Sequence, residues 1–109
     1  MYIPPFNFQT FDWSDIPVET HAGESGVAQW QVLRVGDIRV RKMVYLPGYK
    51  ADHWCSKGHF MHCLDGEMNT ELEDGSVYRL LAGMTYIVGD NCEKHRSFTV
   101  DGCTLFVVD

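Results

Sequence analysis

The residues that could carry chemistry gather between positions 52 and 59, where the sequence reads Asp-His-Trp-Cys-Ser-Lys-Gly-His. On a β-strand, residues two apart point to the same face about 6.6 Å apart, so His53 and Cys55 can both face inward. The lysine-glycine pair that follows permits a turn, after which His59 would open the next strand beside them. These nitrogen and sulfur groups predict a metal site, and His95 is the only other histidine late in the chain that could complete it.

Each of these residue types also has an ordinary structural role. A single histidine on a strand is usually a core or surface residue, and a single cysteine is usually a small buried hydrophobe. We assign His21 and His62 to that class, since His62 faces away from His59 because their separation is odd. Cys63 lies four residues after His59 on the same strand face, and it is the alternative sulfur ligand to Cys55.

The composition bounds the class of protein. The chain has 109 residues, the size of one small domain, so we predict a single domain over residues 1–109. Its formal net charge is −6 without a cluster of lysine and arginine, which argues against a nucleic-acid partner. No apolar run approaches the roughly 20 residues of a membrane span, and the N-terminus lacks a signal-peptide pattern. We therefore expect a cytoplasmic protein without membrane association, whose four cysteines are thiols or metal ligands.

Short runs rich in Val, Tyr, Phe and Thr, separated by turn signals, make up most of the chain after residue 26. Residues 27–35 and 38–46 are two such runs, and Gly-Asp or Asp-Gly pairs end several of them. Asp-Gly suits a turn because glycine adopts a positive φ without a Cβ clash. No segment shows sustained helical spacing. The pattern predicts an all-β, antiparallel sandwich or barrel.

Residues 1–26 are irregular, and they form an N-terminal arm or a set of edge segments. Their aromatic side chains are too apolar for a free tail, so we expect the arm to be structured. A thin core and an apolar arm leave surface to cover, which predicts a homodimer that depends on the arm. The aromatic residues of the arm are Phe6, Phe8, Phe11 and Trp13.

The spacing of the candidate ligands resembles the first motif of the cupin family. In that motif a glycine precedes a His-x-His pair, which is followed by a glutamate and a second glycine. Here Gly48 precedes His53 and Cys55, with His59 in the place of the glutamate and Gly66 in the place of the second glycine. The sequence therefore departs from the family pattern at two of the usual ligand positions.

The second cupin motif, a glycine and a Pro-containing turn followed by a histidine, has a counterpart in Gly83, a turn at 89–91 and His95. The proline is absent, and Thr99 stands where the family has an asparagine. Residues 52–59 resemble a small cupin group named for its Asp, His, Cys and Trp motif (DHCW). The resemblance implies a cupin-type double-stranded β-helix, or jelly-roll barrel, with one metal ion. The implied ligands are His53, Cys55, His59 and His95.

Three imidazoles and a thiolate favour zinc, copper or iron over magnesium or calcium. We expect zinc first, with Fe(II), nickel or copper as alternatives. Four protein ligands on zinc would form a closed, structural site, whereas an open position would allow Lewis-acid chemistry. The hypotheses are thus a metal-dependent enzyme, of oxygenase or isomerase type, acting on a small polar or carboxylate substrate, or a non-catalytic metal- or small-ligand-binding protein. A third is an interaction module that dimerises through the arm.

Further polar residues can line the barrel. Arg39 and Arg41 share one strand face, which we expect to lie in solvent; the alternative places one guanidinium inside, where it could bind a substrate carboxylate. Tyr86 can be a pocket hydroxyl or a packing residue. Asp52 can accept a hydrogen bond from a ligand imidazole or be a solvated turn residue.

Overall fold

The computed structural model describes residues 2–109, and these form an antiparallel β structure with no α-helix. The all-β prediction is therefore confirmed. A short 3-10 helix, Trp13–Asp15, precedes the strands. The strands are β1 (Glu19–Ala22), β2 (Val27–Val35), β3 (Ile38–Tyr45), β4 (His59–Leu72), β5 (Val77–Leu81), β6 (Thr85–Val88), β7 (His95–Phe98) and β8 (Cys103–Val108).

The long strand β4 links the two halves of the barrel. Its first half pairs with β6 and β8, and its second half pairs with β5 and β7. The remaining strands continue from β8 in the order β3, β2, β1. The β4–β8 register shifts between Cys63 and Asp65, and Gly66 follows with a φ of +76°. This irregularity lets one strand turn from one sheet into the other, because a bulge bends a strand and a glycine accepts the positive φ.

The core lies between the sheets and consists mainly of sulfur-containing and aliphatic side chains from β3, β4 and β8. Alternate residues of each strand point inward, as the period of a β-strand requires. On β3 the inward face includes Arg41, which is 5% exposed. The expectation that both arginines lie in solvent is wrong for this residue. The largest fully buried side chains are Met43, Cys63, Met68, Leu105 and Val107.

The segment 51–58 is a loop, so the strand expected at His53 and Cys55 is absent. Distant backbone groups hold the loop: the Ala51 amide donates to the Ser97 carbonyl at 3.0 Å. At its end, the Gly58 amide donates to the Asp90 carboxylate at 2.6 Å. A Cβ on this glycine would lie 2.5 Å from the Asp90 amide nitrogen, so the close approach requires glycine.

The N-terminal arm leaves most of its aromatic surface exposed. Phe6, Phe8 and Phe11 are 52%, 92% and 50% exposed, whereas the Trp13 ring packs edge-on against Phe106 with a centroid distance of 6.3 Å. Within residues 2–109 there is no helix long and apolar enough to cross a membrane.

Shortening the arm is expected to shift the protein from dimer to monomer. Deleting residues 1–13 removes exposed aromatic rings that a second copy would cover, and it also removes Trp13 from Phe106, so stability should fall as well. Sedimentation would measure the oligomeric state, with the double variant Gln9→Ala, Thr10→Ala as a control that keeps the aromatic rings. A monomeric intact chain at high micromolar concentration would contradict the prediction.

Candidate metal centre

Three of the predicted ligands converge inside the barrel. One ligand atom from each of Cys55, His59 and His95 lies within 4.8 Å of the others. The two histidines open strands β4 and β7, and both are buried. The Cys55 and His95 backbones exchange two hydrogen bonds, of 2.8 and 3.0 Å, which fix the thiol beside the ring. The first residues of β4 and β7, together with the hydrogen-bonded loop that holds Cys55, thus build the cluster.

Hydrogen bonds orient the two imidazoles toward one point. His95 Nδ1 lies 2.8 Å from the Glu93 carbonyl oxygen, which only accepts, so Nδ1 carries the proton and Nε2 of the neutral ring has a free lone pair. The Tyr86 hydroxyl lies 2.9 Å from His59 Nε2 and can donate to it. The two Nε2 atoms face each other at 3.1 Å. If the His59 proton is on Nδ1, two lone pairs point at each other, and a cation between them would relieve the repulsion. If it is on Nε2, His59 donates a hydrogen bond to His95 instead.

The donor set fits a transition metal. Two nitrogens at Zn–N distances of 2.0–2.1 Å in a tetrahedron are about 3.3 Å apart, close to the separation seen between the two rings. Thiolate and imidazole are the ligands that zinc, iron and copper prefer. The cluster of Cys55, His59 and His95 can therefore hold such an ion.

Electrostatics favours the protonation states that bind metal at two of these residues. The neighbouring His95 ring lowers the pKa of the Cys55 thiol, and the same interaction raises the pKa of His95. Burial lowers the pKa of His59 to about 4, and the charges of His95 and Arg41 act in the same direction. His59 is thus a neutral imidazole near pH 7, and Cys55 is biased toward the thiolate.

The structure does not bring His53 to the cluster. Its side chain is 76% exposed, and its Nδ1 lies 2.7 Å from the Asp52 carboxylate. The loop conformation explains this placement, because the same-face argument for His53 and Cys55 holds only on a strand. His53 stays a predicted fourth ligand, and coordination would require its ring to turn inward. Asp52 does contact a predicted ligand imidazole, but at the surface.

The remaining histidines and cysteines lie away from the cluster. His21 stacks on Trp30 with a ring-centroid distance of 4.1 Å, and His62 lies 2.7 Å from the Thr85 hydroxyl. The Cys63 thiol faces backbone carbonyls, that of Asp65 at 3.4 Å among them. Cys63 is thus buried on the same strand as His59 but is not part of the cluster.

One charged residue close to the centre, Asp109, escaped the sequence argument, whereas a guanidinium inside the barrel was its alternative for the arginines of β3. The buried Arg41 stacks over Trp30 at 4.7 Å and donates to the Asp109 carboxylate at 3.0 Å. An oxygen of that carboxylate lies 3.6 Å from His59 Nδ1. No local signal links Asp109 to His59, since 50 residues separate them and strand pairing alone brings them together. Tyr86, by contrast, was weighed as a pocket hydroxyl, and its hydroxyl does face the cluster.

Two cavities reach the cluster. The larger, of about 800 Å³, has Tyr86 and His95 in its wall, and most of the remaining lining is apolar, with Arg79 and Glu93 among the charged exceptions. The smaller, of about 500 Å³, borders His59 and Asp109. Of the three cluster residues only His95 lines the larger cavity, so a small organic molecule there would meet the cluster at His95, next to Tyr86.

Comparisons with known proteins place the fold. No protein-family model and no curated protein matches the sequence. A predicted oxalate decarboxylase from Thermotoga maritima superposes with a TM-score of 0.77 at 17% identity, covering 92% of this chain and 96% of that one. An RmlC-like cupin from Shewanella frigidimarina gives a TM-score of 0.77 at 16% identity, covering 94% and 89%. The polyketide cyclase RemF from Streptomyces resistomycificus gives 0.78 at 17% identity, covering 94% and 78%.

These structures and the topology define the class: the chain has the fold of a cupin, as its two motifs predicted. Within this fold the chain has a candidate Cys/His metal centre. At these identities the likeness concerns the fold alone, and the resemblance to the DHCW group stays a prediction.

Proposed function

We propose that this protein is a metal-dependent enzyme that acts on a small molecule bound in the larger cavity. Cys55, His59 and His95 would hold one transition-metal ion, zinc being our first choice. The observation that carries the proposal is that a three-ligand cluster adjoins a cavity of about 800 Å³. Catalytic zinc sites keep three protein ligands and an open position, whereas structural sites have four.

The bound ion would supply Lewis acidity to a substrate oxygen. The chain's own residues do the rest: the mainly apolar wall would contact the body of the substrate, and Tyr86 presents a hydroxyl 2.9 Å from His59 Nε2. Burial raises the pKa of Tyr86, so the phenol keeps its proton and can donate a hydrogen bond to a substrate oxygen. This arrangement suits an isomerase-type reaction with zinc, or an oxygenase-type reaction with Fe(II).

The wall of the cavity indicates the substrate class. We infer a small substrate with an apolar body and one polar or carboxylate group directed at the metal. We do not infer an ion pair between Arg41 and a substrate carboxylate, because the Arg41 guanidinium already donates to Asp109 and stacks over Trp30.

A second candidate, a binding protein with a structural ion, is supported by the position of His53 two residues from Cys55. If its ring turned inward, it would complete a closed four-ligand site. The two candidates therefore differ in whether the ion has a coordination position that small molecules can occupy.

Cobalt substitution is expected to reveal an open position. The Co(II) protein should show sulfur-to-metal charge-transfer absorption, and added azide should shift its visible bands. Cys55→Ser should abolish the charge-transfer absorption, since it replaces a thiolate with a neutral hydroxyl, while the matched change Cys92→Ser at an exposed thiol should keep it. Bands that azide leaves unchanged, with a large loss of thermal stability on metal removal, would favour the structural ion. Absence of metal binding would refute both.

A further inference from the structure

Asp109 is a buried carboxylate whose contacts point to the metal centre. Its side chain is 1% exposed. It accepts two hydrogen bonds from Arg39, at 3.0 and 3.1 Å, and one from Arg41 at 3.0 Å. The backbones of Arg39 and Asp109 also exchange hydrogen bonds of 2.7 and 2.9 Å. The carboxylate is therefore held both by its side-chain partners and by strand pairing.

The neighbour of this carboxylate is a buried nitrogen without a partner. In the part of the chain that the structure describes, His59 Nδ1 has no hydrogen-bond partner, and the Asp109 oxygen lies 3.6 Å from it. That distance exceeds the roughly 2.9 Å of an N–H···O hydrogen bond, so the contact is an electrostatic one. The negative charge of this oxygen still favours one of the two neutral tautomers of the His59 ring. A proton on Nδ1 meets a negative oxygen, whereas a lone pair there would face it.

At the other end of the ring, the Tyr86 hydroxyl favours the same tautomer of His59. Tyr86 can donate its hydroxyl proton to His59 Nε2 only when that nitrogen has a free lone pair, which requires the proton on Nδ1. Nε2 is also the atom that faces His95 at 3.1 Å. The Asp109 carboxylate and the Tyr86 hydroxyl thus favour the proton on Nδ1. The contact with His95 favours the same tautomer only when an ion lies between the two Nε2 atoms, because without one a proton on His59 Nε2 would be donated to the His95 lone pair.

We propose that Asp109, clamped by Arg39 and Arg41, is a positioning residue that keeps the His59 proton on Nδ1 and thereby directs Nε2 at the metal. The role in metal binding rests on the proposed function; the role in the tautomer does not. Carboxylates behind ligand histidines orient the ring and raise its basicity in many metal sites. Asp52, the residue that the sequence suggested for this task, contacts the exposed His53 instead.

The test compares Asp109→Asn with Asp52→Asn in the full-length protein without metal. Nitrogen-15 NMR of the imidazoles reports which ring nitrogen carries the proton. We expect His59 to be protonated on Nδ1 in the parent and in Asp52→Asn, and to become a mixture of tautomers in Asp109→Asn. A parent ring protonated on Nε2, or an unchanged ring in Asp109→Asn, would overturn the proposal.

A second readout separates this inference from the proposed function. Competition with a zinc chelator should show an affinity loss of about 10–100-fold in Asp109→Asn, the range for outer partners of metal ligands. A tautomer shift without zinc binding in the parent would support the positioning role and contradict zinc as the ion of the proposed enzyme. Because an uncompensated Arg41 can unfold the barrel, the double variant Asp109→Asn, Arg41→Met provides a second background. The tautomer shift should persist there, and an Nδ1-protonated His59 in the folded double variant would overturn the proposal.

Discussion

Replacing His59 or His95 with alanine is expected to remove most of the bound metal. Each ring supplies one nitrogen to a three-ligand cluster, and both rings are buried, so an alanine at either position leaves the ion with two of the three ligands. The loss of affinity should exceed the roughly 10–100-fold that changes to outer partners cause. Elemental analysis of protein purified without added metal, followed by chelator competition, would measure it.

The other histidines supply matched controls. His21→Ala and His62→Ala remove the same kind of ring from positions outside the cluster, and they should leave the metal content near that of the parent. Equal losses in all five histidine variants, or no loss in any, would contradict the assignment.

His53→Ala decides between an open and a closed site. The sequence predicts that it binds the ion with the other three residues, whereas the structure places its ring in solvent. A loss of metal like that of His59→Ala would show that the loop 51–58 turns the ring inward and closes the site. A metal content like that of His62→Ala would leave three protein ligands and support the catalytic proposal.

Gly66→Ala is expected to destabilise the fold by about 2–5 kcal/mol, the sum of a backbone cost and an overpacking cost. A φ of +76° costs an alanine roughly 1–2 kcal/mol. The added Cβ would also contact the Gly102 carbonyl and lie 2.9 Å from the Cys103 Cα, so the pairing of β4 with β8 must shift. Overpacking of this kind costs typically 1–3 kcal/mol more. Urea denaturation would measure the loss, and failure to accumulate as folded protein would agree with it.

Gly75→Ala is the matched control for this prediction. Gly75 also has a positive φ, of +89°, but a Cβ there meets nothing within 4 Å. It should therefore show the backbone cost alone, roughly 1–2 kcal/mol. Equal losses in the two variants would mean that the close approach of β4 and β8 at Gly66 is not needed for stability.

The sequence by itself determined the class of fold and the bounds of its two clearest strands, β2 and β3, to within one residue. Turn residues act locally, so the run over residues 27–35 and the strand that His59 opens could be predicted from the chain alone. The spacing of the two cupin-like motifs likewise predicted that His95 lies beside the ligands of residues 53–59, because that spacing reflects how a barrel returns the chain to the same site. These predictions depend on short-range chemistry or on a pattern repeated in many proteins of this fold.

Only the tertiary structure decided which face of β3 points inward. Both faces of that strand have apolar residues, so the alternation could not distinguish them, and the face with Met43 and Tyr45 also brings Arg41 inside. The conformation around His53 was equally inaccessible, because the loop takes its shape from backbone groups and one side-chain carboxylate some 30 to 50 residues away. The contact of Asp109 with His59 depends on the pairing of β3 with β8 and of β8 with β4. Such contacts join distant parts of the chain, and no local pattern encodes them.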